Sequence, residues 1–474
     1  MNAAPLLLWL HNDFRLHDHP GWFAAQEQGG AVIPVALPMA DSGNDWAPGA
    51  ASRWWLHHSL NALDRELRER GSRLILRSGA AEEGLLQLVQ DSGARGVVWS
   101  CRSDPQGRVG DRQLTEALER RGLVARRLNS SLLYPPETIS NRQGRPFQVF
   151  TPFWKACLAS GEPEPPLPPP KDLSPPSAWP ESEPLESFGL LPKIPWDAEF
   201  PDRWTPGEAG ARQALTQFFD VLDEYPAQRN LPAVRGSSRL SPHLHFGEIS
   251  PRQIWAAVRQ RAKDPEAARV YLSEIGWREF AHYILHHFPE TAFVPLRSEF
   301  REFPWSRGRR PLHAWQQGRT GYPIVDAGMR ELWRTGWMHN RVRMIVGSFL
   351  TKDLLISWRE GARWFWDTLV DADLANNTLG WQWVSGCGAD AAPYFRIFNP
   401  VLQGKKFDHE GEYVRRWVPE LAALETRWIH EPWNAPEDVL AAAGVALGAS
   451  YPRPIVDHAE ARTRALEIFA GLSK

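Results

Sequence analysis

Apolar positions in the first 130 residues come as short runs separated by stretches with helical spacing. Residues 6–10, 31–37, 73–77, 96–100 and 124–128 read as strands, and 53–70, 81–92 and 108–121 as helices. In the first of these helices Trp54, Trp55, His58, Leu60, Leu63 and Leu67 gather near one face, with Arg and Glu opposite. Alternation of strand and helix predicts a five-stranded parallel sheet with right-handed crossovers. Residues 161–206 hold 14 of the chain's 41 prolines, so neither a helix nor a central strand runs through them. They predict a long connector wrapped on the surface, docked through Leu190, Leu191, Ile194, Trp196 and Phe200. From residue 207 strand signals end and helical periods dominate, at 211–224, 251–263, 266–288, 323–336, 338–351 and 360–370. The pattern divides into an α/β domain (1–130), an inter-domain linker (131–206) and an all-α domain (207–474) large enough for its own core.

Composition narrows the class. With 43% hydrophobic and 23% charged residues, the 474-residue chain is ordinary globular material, neither disordered nor collagenous nor coiled-coil. No apolar run nears the ~20 residues that span a bilayer. His11, Asp13, Arg15 and Asp18 interrupt any apolar signal core. Cys101, Cys157 and Cys387 lack zinc-ligand spacing and cannot form a disulfide framework. A reduced, soluble, cytoplasmic protein without a metal site is expected. The net charge of −2 excludes a polycation, so a nucleic-acid partner must meet a local basic patch.

Such a patch exists. Residues 300–345 hold nine arginines, no lysine and three acids, with Trp305, Trp315, Trp333 and Trp337 interleaved. Arginine beside indole suits phosphate contact and base stacking, although a solvated face paired with acids elsewhere has the same composition. Gly236-Ser-Ser-Arg-Leu-Ser-Pro242 offers three hydroxyls and free amides before a helix, a phosphate-holding arrangement or simply a capped turn. It has no P-loop lysine, and no GxGxxG follows the first strand. Glu274, Trp277, Arg278 and Ala281 share one helical face at i, i+3, i+4, i+7, and Asn340, Arg343 and Met344 share another. The run 371–383 is dense in Asp, Asn and Gly, with Trp381 and Trp383. Ion pairs, core filling and a helix-ending loop account for each set singly; three sets within one helical domain point to a site.

Together these residues carry a resemblance. Ser237 to Ser250, Trp277-Arg-Glu-Phe280, Gly321-Tyr-Pro-Ile-Val-Asp326, Gly336-Trp-Met-His-Asn-Arg341, Gly380-Trp-Gln-Trp383 and Tyr394-Phe-Arg-Ile-Phe-Asn-Pro400 are similar to the photolyase/cryptochrome family. Ser52-Arg-Trp-Trp-Leu56 and Ser241-Pro-His-Leu-His-Phe-Gly-Glu248 resemble the class III cyclobutane pyrimidine dimer photolyases, relatives of plant cryptochromes. The resemblance implies an α/β antenna domain, a long linker and a helical domain holding FAD. The flavin would meet Tyr225, Ser237, Ser238, Arg239, Leu240, Ser241, Tyr271, Glu274, Asn340, Arg343, Asp371, Ala372, Asp373 and Asn377, with Arg343 pairing Asp371. Asn377 would face flavin N5, where plant cryptochromes carry Asp, and a neutral amide favours keeping the fully reduced anionic flavin.

The implied activity is light-driven splitting of pyrimidine dimers in UV-damaged DNA, with the lesion flipped out of the stack. Trp277 and Trp383 would wall the dimer, Glu274 would hydrogen-bond its carbonyl edge, Asn340 would bridge dimer and flavin, and Met344 would pack below. Photolyases for (6-4) lesions carry His at 340 and 344, which disfavours that lesion. Trp381, Trp358 and Trp305 match the family's electron wire. Arg229, Trp277, Arg278, Asn340, Arg341, Arg396 and Gln403 match its DNA contacts, which makes the arginine-rich interval a phosphate footprint. A monomer is expected.

The opening Leu10-His-Asn-Asp-Phe-Arg15 and Asp18-His-Pro20 depart from the family, as does Gly107, where the enterobacterial type has a folate-binding Glu. 5,10-Methenyltetrahydrofolate is the class III antenna expectation, and an empty antenna site is the alternative. Two rival readings stand beside the enzyme: a cryptochrome-type signalling flavoprotein without repair, and a flavin-free helical DNA-binding protein.

Overall fold

The computed structural model describes residues 4–38, 45–171 and 173–472; the sequence-predicted domains also take in 1–3, 39–44, 172, 473 and 474, which lie outside the described residues. Two compact units emerge: Met1–Asp223 with Ser238–Pro289 and Val370–Ala375, and Glu224–Ser237 with Glu290–Leu369 and Asn376–Lys474.

The first unit is built on five parallel strands, β1 (Leu6–Trp9), β2 (Val32–Ala36), β3 (Ile75–Leu76), β4 (Gly96–Ser100) and β5 (Val124–Leu128), in the order β3-β2-β1-β4-β5. Leu7 is in register with Ile33 on one side and Val97 on the other, as predicted for a parallel sheet. β1, β2 and β4 are buried along their whole length, which is why they read as continuous apolar runs and not as alternation. Helices Ala50–Glu69, Ala81–Ser92 and Pro105–Glu119 confirm the predicted ones within three residues at each end. Trp9, Ile33, Ile75, Leu85, Val97, Trp99 and Leu114 form the core.

β3 is shorter than the predicted 73–77: the Leu74 amide goes to Asp64 Oδ1 (2.8 Å), and the linker covers the outer edge of the two residues that remain. The Leu76 amide donates to Ser182 Oγ (3.0 Å), and the Leu76 carbonyl accepts from the Glu183 amide (3.0 Å). Arg73 donates to the Pro180 carbonyl (3.1 Å) and lies over the Trp179 ring. A free sheet edge is thereby covered. Of the predicted docking residues, Leu190 and Phe200 are buried and Trp196 packs on Phe200, but Leu191 (41%) and Ile194 (69%) are exposed. The dock thus uses Trp179 and residues 180–183, which carry polar backbone contacts that apolar patterning does not reveal. Short helices at Pro20–Glu27 and Phe150–Ala159 were also missing from the pattern.

The longest helix, Pro265–His287, is capped by Asp264 and begins with proline at its first position. Between residues 271 and 285 only Ser273, Glu274, Trp277 and Arg278 escape full burial.

The second unit is helical, with helices Arg309–Gln316, Pro323–Thr335, Asn340–Ser348, Trp358–Thr368, Pro400–Phe407 and His458–Leu472, and most of Leu374–Ser385. Among its described residues, β pairing is limited to isolated bridges at Ser306–Ile356 and Leu447–Tyr451. The predicted 338–351 helix ends at Ser348, where a π turn, Phe349–Asp353, widens the coil. Among the described residues, no helix is long and apolar enough to cross a membrane.

Candidate active site

In the first unit the serine turn and the acidic run meet. Ser241 Oγ donates to Asp371 Oδ2 (2.6 Å), and Tyr271 OH donates to Ser238 Oγ (2.9 Å). Arg239, between these serines, has φ +53°, a left-handed conformation that a non-glycine side chain adopts at a cost. The helix after the turn is only Ser241–His245, so phosphate capacity there rests on hydroxyls and amides more than on a macrodipole. Asp373 lies 3.7 Å from His245 Nδ1 and 3.7 Å from His282 Nε2. Burial pushes the Asp373 carboxyl up, but His282, His245 and Arg278 outweigh it and hold it below the usual range. Burial drives His282 down to about 4 against the opposing pull of Asp373, and Ser103 Oγ meets its Nδ1 at 2.8 Å. Neither histidine was singled out in the sequence; both follow apolar residues and read as core.

The same unit holds Glu274 and Trp277 on the one open stripe of helix Pro265–His287. Trp277 stacks face to face on Phe150 at 4.0 Å and 11°. Trp277 as a whole is half-buried. Phe150 lies in the helix the sequence reading missed. Arg278 donates to the Ser131 carbonyl (2.7 Å) and lies 3.4 Å from Glu279, so this arginine is held by the protein itself.

The second unit carries the amide side of the set. Asn377, 9% exposed, donates from Nδ2 to the Ala362 carbonyl (3.0 Å). Only the NH2 end can do this, so the amide orientation is fixed and Oδ1 is left as an acceptor. Asn340 is exposed, and Arg343 and Met344 beside it are half-buried, on a helix capped by His339. Arg343 Nε donates to the Met338 carbonyl (2.8 Å). Tyr225 is buried beneath the Arg229 guanidinium, and Trp383 is half-buried. Arg341 grips Asn230 Oδ1 (2.7 Å) and covers Phe407. Arg396 is exposed, and Gln403 keeps a buried Oε1 without a partner.

The three tryptophans expected to form a wire are linked through backbone. Trp381 is 3% exposed and packs on the bare face of Gly361, where an added Cβ would stand 2.1 Å from its ring. Gly361 belongs to the helix that starts at Trp358, itself 2% exposed. Just before that helix, Ile356 bridges Ser306, and the Ser306 amide donates to the Leu355 carbonyl (2.7 Å). Trp305 precedes that bridge and is half-exposed. Trp381 and Trp358 are thus both buried, and Trp305 is the most open of the three. The Trp381 indole N–H is buried without an acceptor, so oxidation there cannot be quenched by proton loss.

The two class motifs also meet. Trp55 donates to Glu248 Oε1 (2.9 Å), the Gly207 amide donates to the same oxygen (2.7 Å), and Trp55 stacks on Phe246. At the departing position, a Cβ on Gly107 would stand 2.3 Å from Asp104 Oδ2 and 2.6 Å from Arg102 Cβ. No acidic side chain fits there. His17, Glu66 and Glu208 bring ligand atoms within 4.8 Å of one another, but Arg212 enters the same cluster, 3.2 Å from His17 Nδ1.

Residues 6–171 match the family model described as "DNA photolyase", and 271–471 match "FAD binding domain of DNA photolyase". Over its whole length the chain is 49% identical to a deoxyribodipyrimidine photo-lyase of Agrobacterium fabrum, covering 99% of that protein. The chain belongs to the photolyase/cryptochrome family. Cryptochrome-1 of Arabidopsis thaliana is 41% identical over 97% of this chain and 69% of its own length. A class III photolyase structure from Agrobacterium tumefaciens superposes with a TM-score of 0.96 at 49% identity, covering 100% of this chain and 98% of that one. The Synechocystis cryptochrome gives 0.89 at 30% identity over 99% of this chain and 100% of that one.

The residues present fit a flavin. The strained Arg239 turn with its tied serines suits a pyrophosphate. The fixed Asn377 amide leaves an acceptor for a ring N–H, and an ionised Asp373 offers hydrogen-bond capacity to sugar or ring donors.

Proposed function

We propose that the protein is a light-driven DNA-repair enzyme, a deoxyribodipyrimidine photolyase that splits cyclobutane pyrimidine dimers. The observation that carries this reading is the open Glu274–Trp277 stripe on a helix otherwise buried between residues 271 and 285. A carboxyl and an indole on one partly exposed stripe suit a flat polar ligand. When bound and reduced, FAD supplies the photoexcited electron that opens the cyclobutane ring.

Every other role falls to side chains of this chain. Tyr225, Ser237–Ser241, Tyr271, Arg343, Asp371, Ala372 and Asp373 hold the cofactor. Asn377 presents an acceptor that carries no proton to lend, in contrast to a carboxylic acid, so the reduced anionic state is preserved. Trp277 and Trp383 wall the flipped dimer and exclude water, Asn340 and Met344 bracket it, and Glu274 hydrogen-bonds its carbonyl edge where negative charge develops. Trp381, Trp358 and Trp305 pass electrons inward to restore reduced cofactor. Arg229, Arg278, Arg341, Arg396 and Gln403 hold phosphate, and the grip of Ser131 on Arg278 makes it the least available of these.

The division into antenna domain (1–130), linker (131–206) and catalytic domain (207–474) is kept as the functional one, supported by the sheet and by the linker's contacts at 179–183. Position 107 gives the expected folate antenna no support. A cytoplasmic monomer belongs to the same reading. Purified, photoreduced protein should remove thymine dimers from DNA under blue light. Undiminished dimer content would overturn the enzyme in favour of the signalling reading.

A further inference from the structure

Trp305 is half-exposed and is the outermost of the three wire tryptophans. Its ring lies 4.3 Å from buried Phe303, and the Ser306 bridge to Ile356 fixes the backbone beyond it. Around it the chain reads Arg301-Glu-Phe-Pro-Trp-Ser-Arg-Gly-Arg-Arg310, four arginines against one acid, a net charge of +3 in ten residues. All four arginines are exposed, and among the described residues none of them forms an ion pair.

Of the other five arginines in the interval, four are employed by the fold, and exposed Arg319 acts only electrostatically on Glu420. Arg330 pairs with Glu420 (2.8 Å), Arg334 covers Trp417, Arg341 holds Asn230 and Arg343 holds Met338. The uncommitted positive charge thus clusters at the surface end of the wire. The four lie within the interval expected to serve as a phosphate footprint, but none is one of the individual DNA-contact positions that the family implies.

We propose that Arg301, Arg307, Arg309 and Arg310 form a docking patch for a small, multiply charged anionic one-electron donor that re-reduces Trp305. The inference rests on the wire reading above. The oxidised indole takes one electron from the anion, neutral tryptophan is restored, and the donor leaves oxidised by one electron. The charge serves the encounter: a clustered field raises the local concentration and on-rate of an opposite charge by about 10- to 1000-fold at low ionic strength. Salt screens it within a Debye length of about 10 Å at 0.1 M.

The experiment follows the tryptophan radical by transient absorption after a blue flash on FAD-loaded, oxidised protein. Ferrocyanide is the anionic donor and uncharged ferrocenemethanol the neutral one. Ferrocyanide should quench the radical at least tenfold faster in 10 mM than in 500 mM salt, while ferrocenemethanol quenches alike in both. Arg307→Gln/Arg309→Gln/Arg310→Gln should slow ferrocyanide several-fold at low salt only, with circular dichroism reporting the fold. Equal salt dependence for both donors, or an unchanged ferrocyanide rate in the triple variant, overturns the patch. So does loss of undamaged-duplex affinity in the variant with donor rates intact, which makes the patch a DNA footprint. Absence of any tryptophan radical fails the wire itself, a distinct result.

Discussion

Asn377 shows how one hydrogen bond sets a chemical preference. Its NH2 is committed to the Ala362 carbonyl, so the oxygen is the atom left to face a ligand. An ionised aspartate at this position has no donor for Ala362, and a protonated one has a proton to give. Asn377→Asp should therefore destabilise the fold by about 1–3 kcal/mol, since a buried carbonyl loses its partner. It should also shorten the life of fully reduced cofactor, as followed by absorption after photoreduction. A melting temperature and a reduced-state lifetime both equal to the parent's would refute the assignment. Glu274 is argued the same way. A charge-assisted bond is worth roughly 1.5–3 kcal/mol, so Glu274→Ala should cut the repair yield by about tenfold or more with flavin content preserved. Unchanged dimer repair in that variant would remove its role. At this scale the sequence offers residue types that suit the chemistry, as Glu274 and Asn377 do, and the two variants above test their roles. It was silent where a neighbour supplies only backbone, as Ala362 does, or where a histidine sits among apolar positions, as His245 and His282 do.

Helix Pro265–His287 links site and scaffold, because the face opposite its open stripe is tied to the start of the linker. Glu279 Oε2 accepts from the amides of Leu133 (2.9 Å) and Tyr134 (3.2 Å). Burial pushes its carboxyl up to about 7, with Arg278 and the two amides pulling it down. The unfolded chain releases that proton near 4.5, so between about 4.5 and 7 the folded state binds more protons. Stability should fall as pH rises through that window, by on the order of 3 kcal/mol. Glu279→Gln keeps an acceptor for the amides and has no proton to lose, so its melting temperature should gain on the parent's between pH 5 and pH 8. A gap that stays constant over that range would contradict the argument. The wire can be tested at the same scale. Trp381 touches Phe365 and buried Trp315 as well as Gly361, but Trp315 has no exposure and its N–H is held by the Val346 carbonyl (3.0 Å). Trp358→Phe should block photoreduction of oxidised FAD, and Trp315→Phe should leave it running; the reverse pattern would reroute the electrons. Helical periods located these elements to within a few residues. They failed at β3, where Asp64 takes the Leu74 amide, and at the π turn after Ser348.

Across the whole molecule, two distant sequence motifs become one contact. Trp55, in the helix after β2, and Glu248, nearly 200 residues later, are joined by a hydrogen bond, and Glu248 is fully buried. Patterning separates the α/β and helical stretches correctly, because buried strands and amphipathic helices leave different periods. It cannot register that 238–289 and 370–375 pack into the sheet's unit, since such long-range packing leaves no period in the chain. Charge is likewise a property of the whole. A chain of net charge −2 gains nothing from long-range attraction to a polyanion, so DNA affinity has to come from a few arginines in direct contact with phosphate. Each phosphate neutralised releases counterions, giving a slope of log affinity against log salt of about −0.9 per contact on duplex DNA. Measured on a dimer-containing duplex, the slope should equal a small whole number of contacts times that value. Arg396→Gln should lower it by about one, for damaged and undamaged DNA alike, because a phosphate contact carries no information about the lesion. Trp383→Ala should leave the slope in place and erase the preference for the dimer, because stacking on the flipped lesion releases no ions. If the arginine substitution changed lesion preference and the tryptophan substitution changed salt dependence, the division between phosphate grip and lesion reading would be wrong.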